Sequence, residues 1–139
     1  MVDVGVSELR RSRDRLTKQG EAAEQAGEVA VGGLLLFYAA ECALKAEVLR
    51  WVLCRQDTSA LSGDLRTHNL RGLAKALNLP PPPPGQPDPL RCRRHKGGPW
   101  VESHDLHEAW RYGAELRAND QKAALEALKS LVKDARKGS

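Results

Sequence analysis

The stretch "FYAAECALKAEVLRW", Phe37 to Trp51, is the most apolar passage of this chain, yet it carries Glu41 and Lys45 through its middle. Placing residues at intervals of about 100° predicts one long helix from about Glu28 to Cys54. Two apolar faces are predicted, Val31, Leu35, Tyr38, Cys42, Leu49 and Leu53 on one and Phe37, Leu44, Val48 and Trp51 on the other. Because Glu41 and Lys45 lie between these faces, we expect a central helix whose charged pair is at least partly shielded.

Helices are also predicted on both sides of this segment. Residues from Ser7 to about Lys18 read as a short surface helix. After a loop, the segment "THNLRGLAKALNLP" has an apolar stripe at helical spacing, with Thr67 or Asn69 as its N-cap and Pro80 to end it. The stripe consists of Leu70, Leu73, Ala74 and Leu77.

Two more helices are predicted near the C-terminus. Ser103 is a good N-cap for "HDLHEAWRYGAELR", and Asn119 or Asp120 can cap "QKAALEALKSLVKDARK". The predicted buried positions are Leu106, Ala109, Trp110, Gly113 and Leu116, followed by Leu125, Leu128, Leu131 and Val132. Since no segment alternates with period two, the prediction is an all-α, up-and-down bundle of about five helices.

A proline-rich passage separates the third and fourth helices. Residues 79–102 contain all 8 prolines of the chain, five of them consecutive. Such a run favours polyproline II and excludes a helix, and a connection this long is usually functional or disordered. We treat residues 1–139 as a single domain with this passage as a loop.

The composition limits the kind of protein. A chain of 139 residues with 41% hydrophobic and 29% charged residues is typical of a soluble single domain. Without a signal peptide or a long uninterrupted apolar run, we expect a cytoplasmic protein with no membrane partner. Three cysteines do not suggest a disulfide framework. A net charge of +4 favours an anionic partner such as RNA or a nucleotide, but many proteins this basic bind none.

Glu41 and Lys45 form the first candidate site. Their i, i+4 spacing, with Glu on the N-terminal side, suits a structural ion pair. Shielded charges are costly unless they are paired or used, so the pair is also a candidate for shifted pKa values and for function.

A second candidate is a structural zinc site. Cys92, His95, His104 and His107 follow the pattern C-x2-H-x8-H-x2-H. Four nitrogen and sulfur ligands can enclose Zn²⁺ and would tie down the proline-rich loop. The spacing matches no common zinc finger, so the residues also fit a surface without metal. We expect no cofactor, with structural zinc as the alternative.

A third candidate is a catalytic set of His107, Arg111 and His104. His107 and Arg111 are spaced i, i+4 on one predicted helix face, and His104 lies a turn earlier. A histidine that transfers protons beside an arginine that holds a phosphate is the minimum set for a metal-independent ribonuclease. An ordinary basic surface has the same residues.

Three segments, in this order, resemble the HEPN domain family of small prokaryotic helical bundles. "YAAECALKA" (Tyr38 to Ala46) looks like its second helix, "THNLRGL" (Thr67 to Leu73) is similar to a His-Asn-Leu helix start, and "WRYG" (Trp110 to Gly113) to an Arg-Tyr in a late helix. The resemblance spans about Val29 to Leu116, with the proline-rich passage as an insertion.

This resemblance implies a homodimer that acts in RNA-directed phage defence or in a toxin–antitoxin pair, with a protein partner encoded nearby. The family's nuclease motif, Arg-x4-6-His, is absent. The resemblance therefore implies a non-catalytic or degenerate binding subunit; the alternatives are an atypical endoribonuclease and a zinc-stapled interaction module. The residues that it places in the inter-helix cleft are Glu41, Lys45, His68, Arg111 and Tyr112.

Overall fold

The computed structural model describes residues 3–61, 63 and 68–137. These residues form five α-helices and no strand, which confirms the all-α bundle. The helices are α1 (Val6–Gln25), α2 (Val29–Glu47), α3 (Leu70–Ala76), α4 (Leu106–Arg111) and α5 (Ala118–Lys137). Thr67, one of the two predicted caps of the third helix, lies outside the described residues.

The central position predicted for the apolar helix is confirmed. α2 packs against each of the other four helices, and its core residues include Leu36, Phe37 and Leu44, all with no exposed surface. Two other predictions for this helix are wrong, because Val31 and Trp51 are 49% and 50% exposed. Trp51 lies in the segment Val48–Leu53, which continues α2 as a π-helix. The wider π turn shifts the angular positions that an α-helical wheel assigns.

By length and composition, one helix in the described part of the chain, Val29–Leu53, could cross a membrane. Half of its most apolar window is buried within the fold, and a buried core helix meets the same criteria.

Two glycines allow α1 and α2 to lie unusually close together. A Cβ on Gly32 would be 2.9 Å from the carbonyl oxygen of Gly20 and 3.0 Å from the backbone nitrogen of Glu24. α1 is longer than the predicted helix, which ended near Lys18, because this contact buries its later turns as well.

The fourth helix is much shorter than predicted. Ser103 begins a 3-10 turn rather than capping a helix, and α4 ends at Arg111. Gly113 then adopts a φ of +75° that favours glycine, and the N–H of Ala114 donates to the carbonyl of Ala109 at 2.8 Å. Gly113 is therefore exposed rather than part of the helical seam.

The connection from α3 to α4 is anchored at several points. Leu90 and Cys92 are fully buried, and Asp88 pairs with Arg71 of α3. Backbone bonds between Cys92 and Val101, at 3.0 and 2.8 Å, close a loop within its second half.

Candidate functional site

Six side chains from three parts of the fold form a group that we call the histidine cluster: Tyr38, Glu41, Lys45, His68, His107 and Arg111. The first three lie on one face of α2, at i, i+3 and i+7. His107 and Arg111 share one face of α4. His68 precedes α3, whose N-cap Asn69 accepts a hydrogen bond from the N–H of Gly72 at 3.0 Å and so fixes the start of that helix.

Glu41 holds the cluster together. Its Oε2 accepts from Lys45 Nζ at 3.1 Å, and its Oε1 lies 2.5 Å from His68 Nδ1. The side chains of Glu41 and Lys45 are only 14% and 12% exposed, whereas that of His68 is 42% exposed. The prediction of a half-buried Glu41 with a cationic partner is confirmed. His68, which the sequence linked to Glu41 only through the resemblance, is the additional partner.

His107 is buried against the second histidine. The two rings lie 4.0 Å apart between centroids, and Phe37 packs at 5.1 Å from His107. His107 is 4% exposed, and its Nδ1 has no hydrogen-bond partner. Burial lowers the pKa of His107, and the nearby His68 lowers it further. His107 is therefore neutral at neutral pH and unsuited to holding a phosphate.

The lowered pKa of His107 predicts a pH-dependent stability. The unfolded chain takes up this proton near pH 6.5 but the folded chain does so only at lower pH, so protons favour unfolding. The free energy of unfolding should fall as pH decreases below about 6.5, by at most ~1.4 kcal/mol per pH unit from this group. Urea titrations between pH 7.5 and 5 should show a shallower decrease for His107→Leu. The exposed His104→Gln is the control and should keep the wild-type slope; an unchanged slope in His107→Leu would contradict the assignment.

Arg111 forms the solvent-facing side of the cluster. Its guanidinium donates to the hydroxyl of Tyr38 and lies 5.9 Å from the ring of Tyr112. Hydrogen bonds with Tyr112 and Tyr38 raise its pKa further, so it is always cationic. Tyr112 is 76% exposed and flanks Arg111 at the surface.

The structure does not gather the four candidate zinc ligands. Cys92 is buried, and burial raises the pKa of its thiol to about 12. His95 and His104 are exposed, and His104 pairs with its neighbour Asp105 at 3.5 Å, whereas His107 belongs to the histidine cluster. Among the described residues, no group of three or more His, Cys, Asp or Glu is placed to hold a metal ion.

The candidate catalytic set is also divided. His107 and Arg111 belong to the cluster, but His104 makes none of the ring contacts or hydrogen bonds described for it. His68, and not His104, lies beside His107 in the structure.

The carboxylate of Glu47 is buried, and this burial was not predicted from the sequence. It is 1% exposed and accepts from Arg10 Nε at 3.1 Å, Arg10 Nη2 at 2.8 Å and Trp51 Nε1 at 3.1 Å. The sequence does contain a pattern that indicates this burial. Leu36, Ala40, Ala43 and Glu47 lie at i, i+4, i+7 and i+11, which is the spacing of a buried helical stripe. With both oxygens satisfied inside the fold, its role is structural.

The fold and the cluster together define a small all-helical bundle with a charged, ring-lined group of side chains at the junction of α2, α3 and α4. Comparison with protein-family models, with curated proteins and with solved structures gave no match.

Proposed function

We propose that this chain is a HEPN-like, dimeric binding subunit that holds RNA at the histidine cluster, in a phage-defence or toxin–antitoxin setting. The observation that carries the proposal is the contact of both Lys45 and His68 with one shielded carboxylate, Glu41, beside Arg111, which donates to Tyr38 on the same face of α2. Two cations and a titratable imidazole exceed the one negative charge, so the cluster favours an anion.

The arrangement supports RNA over a free anion. Arg111 is exposed and lies 6.0 Å from the ring of Tyr38, while the half-exposed ring of His68 lies 6.1 Å from the same ring. A guanidinium can bind a phosphate with two N–H groups, and unpaired bases stack on aromatic and histidine rings. A net charge of +4 adds a sequence-independent attraction.

Arg111→Ala should weaken RNA binding. Loss of one phosphate contact should lower the affinity uniformly across sequences and reduce the salt slope by about 1. We expect about 5- to 20-fold weaker binding, equivalent to ~1–2 kcal/mol, in fluorescence-anisotropy titrations of a labelled single-stranded RNA at several salt concentrations. Lys133→Ala, which removes an exposed cation from α5, is the control and should bind almost normally.

The dimer is tested separately by light scattering coupled to size exclusion. A monomer that binds neither RNA nor nucleotide would rule out the proposal.

A second candidate function, a metal-independent endoribonuclease, is favoured by the bond between Glu41 and His68. Because Nδ1 of His68 faces the carboxylate, the ring is oriented with Nε2 free to act as a base. It would take the proton of an RNA 2′-hydroxyl while the 2′-oxygen attacks phosphorus. The bond from phosphorus to the 5′-oxygen breaks, and that oxygen takes a proton from water. Arg111 would stabilise the charge on the phosphate.

Incubation with labelled RNA and a chelator tests this chemistry. His68→Ala should reduce cleavage about 10²-fold or more, as expected for loss of a general base, and Glu41→Gln should reduce it less. His95→Ala, which removes an exposed histidine, is the control. No cleavage, or cleavage that His68→Ala leaves unchanged, would rule out the nuclease and leave the binding function.

A further inference from the structure

Trp100 forms an indole platform in contact with two arginines outside the histidine cluster. The guanidinium carbon of Arg91 lies 4.7 Å from its ring centroid and that of Arg93 lies 5.4 Å away. The backbone pairing of Cys92 with Val101 explains this geometry. Arg91 and Arg93 flank Cys92 and so project to one side together, beside the residue that precedes Val101.

The platform is open to solvent and lies beside a groove. Trp100 is 37% exposed and lines a hollow of about 510 Å³ together with Arg91, Arg93, Asp88 and Asp120. Arg94, His95 and Lys96, which follow Arg93 in the chain, are all exposed. Arg91 and Arg93 thus lie beside an accessible aromatic ring, whereas Arg94 pairs with Leu116 on another part of the chain.

We propose that Trp100, with Arg91 and Arg93, is a base-stacking subsite for single-stranded RNA, which extends the RNA-binding function proposed above beyond the histidine cluster. Every nucleobase has a π face that can stack on an indole, and cationic neighbours can reach the flanking phosphates. Duplex bases are stacked on one another and do not offer that face, so the subsite selects single strands.

The carboxylates near the platform leave the arginines able to bind. Arg91 donates to Glu102 through Nε, so its two terminal amino groups remain for a phosphate. Arg93 uses Nε and one terminal nitrogen on Asp120, which holds its planar group in place. The indole and the guanidinium groups that lie over it form a planar surface on which a base can stack, because bases stack on aromatic rings and on guanidinium planes; the flexible carboxylates of an acidic peptide have no such face.

The platform and the cluster are close enough to contact one RNA strand. His107 follows Trp100 by seven positions in the chain, so the two Cα atoms are at most about 25 Å apart. A single strand of about 15 nucleotides is comparable to the longer sites known for such proteins.

The test compares full-length variants in anisotropy titrations with a labelled uridine 15-mer and with a duplex of equal length. Trp100→Ala should weaken single-strand binding about tenfold, because loss of one stacked base has an effect of this order, and should leave the salt slope unchanged. Trp100→Phe should retain most of the affinity. Arg91→Ala should instead reduce the salt slope by about 1, since it removes a cation that contacts a phosphate.

Val52→Ala is the control, since it removes an apolar side chain that is 48% exposed and belongs to neither proposed RNA-binding group, and it should bind normally. If the wild type binds no RNA, the proposed function and the subsite both fail. If the wild type binds but Trp100→Ala binds equally well, only the subsite fails. Equal affinity for the duplex, or displacement of the RNA by polyglutamate at similar concentrations, would also overturn the subsite, the latter in favour of an acidic protein partner.

Discussion

Arg10→Met should destabilise the fold by about 3 kcal/mol, because breaking a buried pair by removing one partner leaves an uncompensated charge. The carboxylate of Glu47 is 1% exposed and receives two hydrogen bonds from the Arg10 guanidinium. After the substitution, only the indole N–H of Trp51 remains as a described donor. Urea denaturation followed by far-ultraviolet circular dichroism measures the change, and the midpoint should fall with little change in slope.

Two further variants separate the buried charge from a simple loss of contacts. Replacing both partners, in Arg10→Met with Glu47→Leu, should restore most of the lost stability, since apolar replacements of buried pairs are often neutral or better. Arg136→Met is the matched control. Its partner Asp14 is 55% exposed, so the loss should stay below about 1 kcal/mol. A double variant as unstable as Arg10→Met would show that packing around Arg10, not the charge of Glu47, is responsible.

The helices of this protein could be predicted from sequence wherever an apolar period ran uninterrupted. The α2 and α5 patterns predict the buried faces of Leu44 and Leu128 because helical spacing and burial agree there. At Trp51, in the π-helical segment that continues α2, α-helical spacing no longer predicts burial, and the side chain is exposed. The end of α4 was missed because Gly113 was counted as an apolar position, when its value to the fold is its positive φ.

The candidate site could be predicted only in part. Spacing on one helix placed Glu41 beside Lys45, and spacing on another placed His107 beside Arg111. Which helices face each other is a tertiary property, so periodicity alone could not place the ring of His68 on that of His107. Cys92 illustrates the same limit. Its spacing from three histidines suggested a metal ligand, but the fold uses the thiol as a small buried apolar group.

The contact between α1 and α2 depends on two glycines, and a side chain on one of them should force the helices apart. Gly32→Ala places a Cβ 2.9 Å from the Gly20 carbonyl oxygen and 3.3 Å from the Glu24 Cα. Backbone atoms cannot rotate away as a side chain can. Overpacking of this kind costs about 1–3 kcal/mol, partly offset by the ~1 kcal/mol that alanine gains over glycine in a helix.

Gly32→Val should be clearly worse than Gly32→Ala, with a loss of about 3 kcal/mol or more, because each added methyl group must also find space between the two backbones. Thermal and urea unfolding of both variants measure the difference. Ala30→Val changes an exposed position two residues earlier in α2, and should lose only about 0.5 kcal/mol through helix propensity.

If Gly32→Ala were more stable than the wild type, the backbones would not be in contact and propensity alone would decide the result. If Gly32→Val matched Ala30→Val, steric exclusion would have no part in holding α1 on α2. The expected order of stability, wild type above Gly32→Ala above Gly32→Val, follows only from close approach of the two helices.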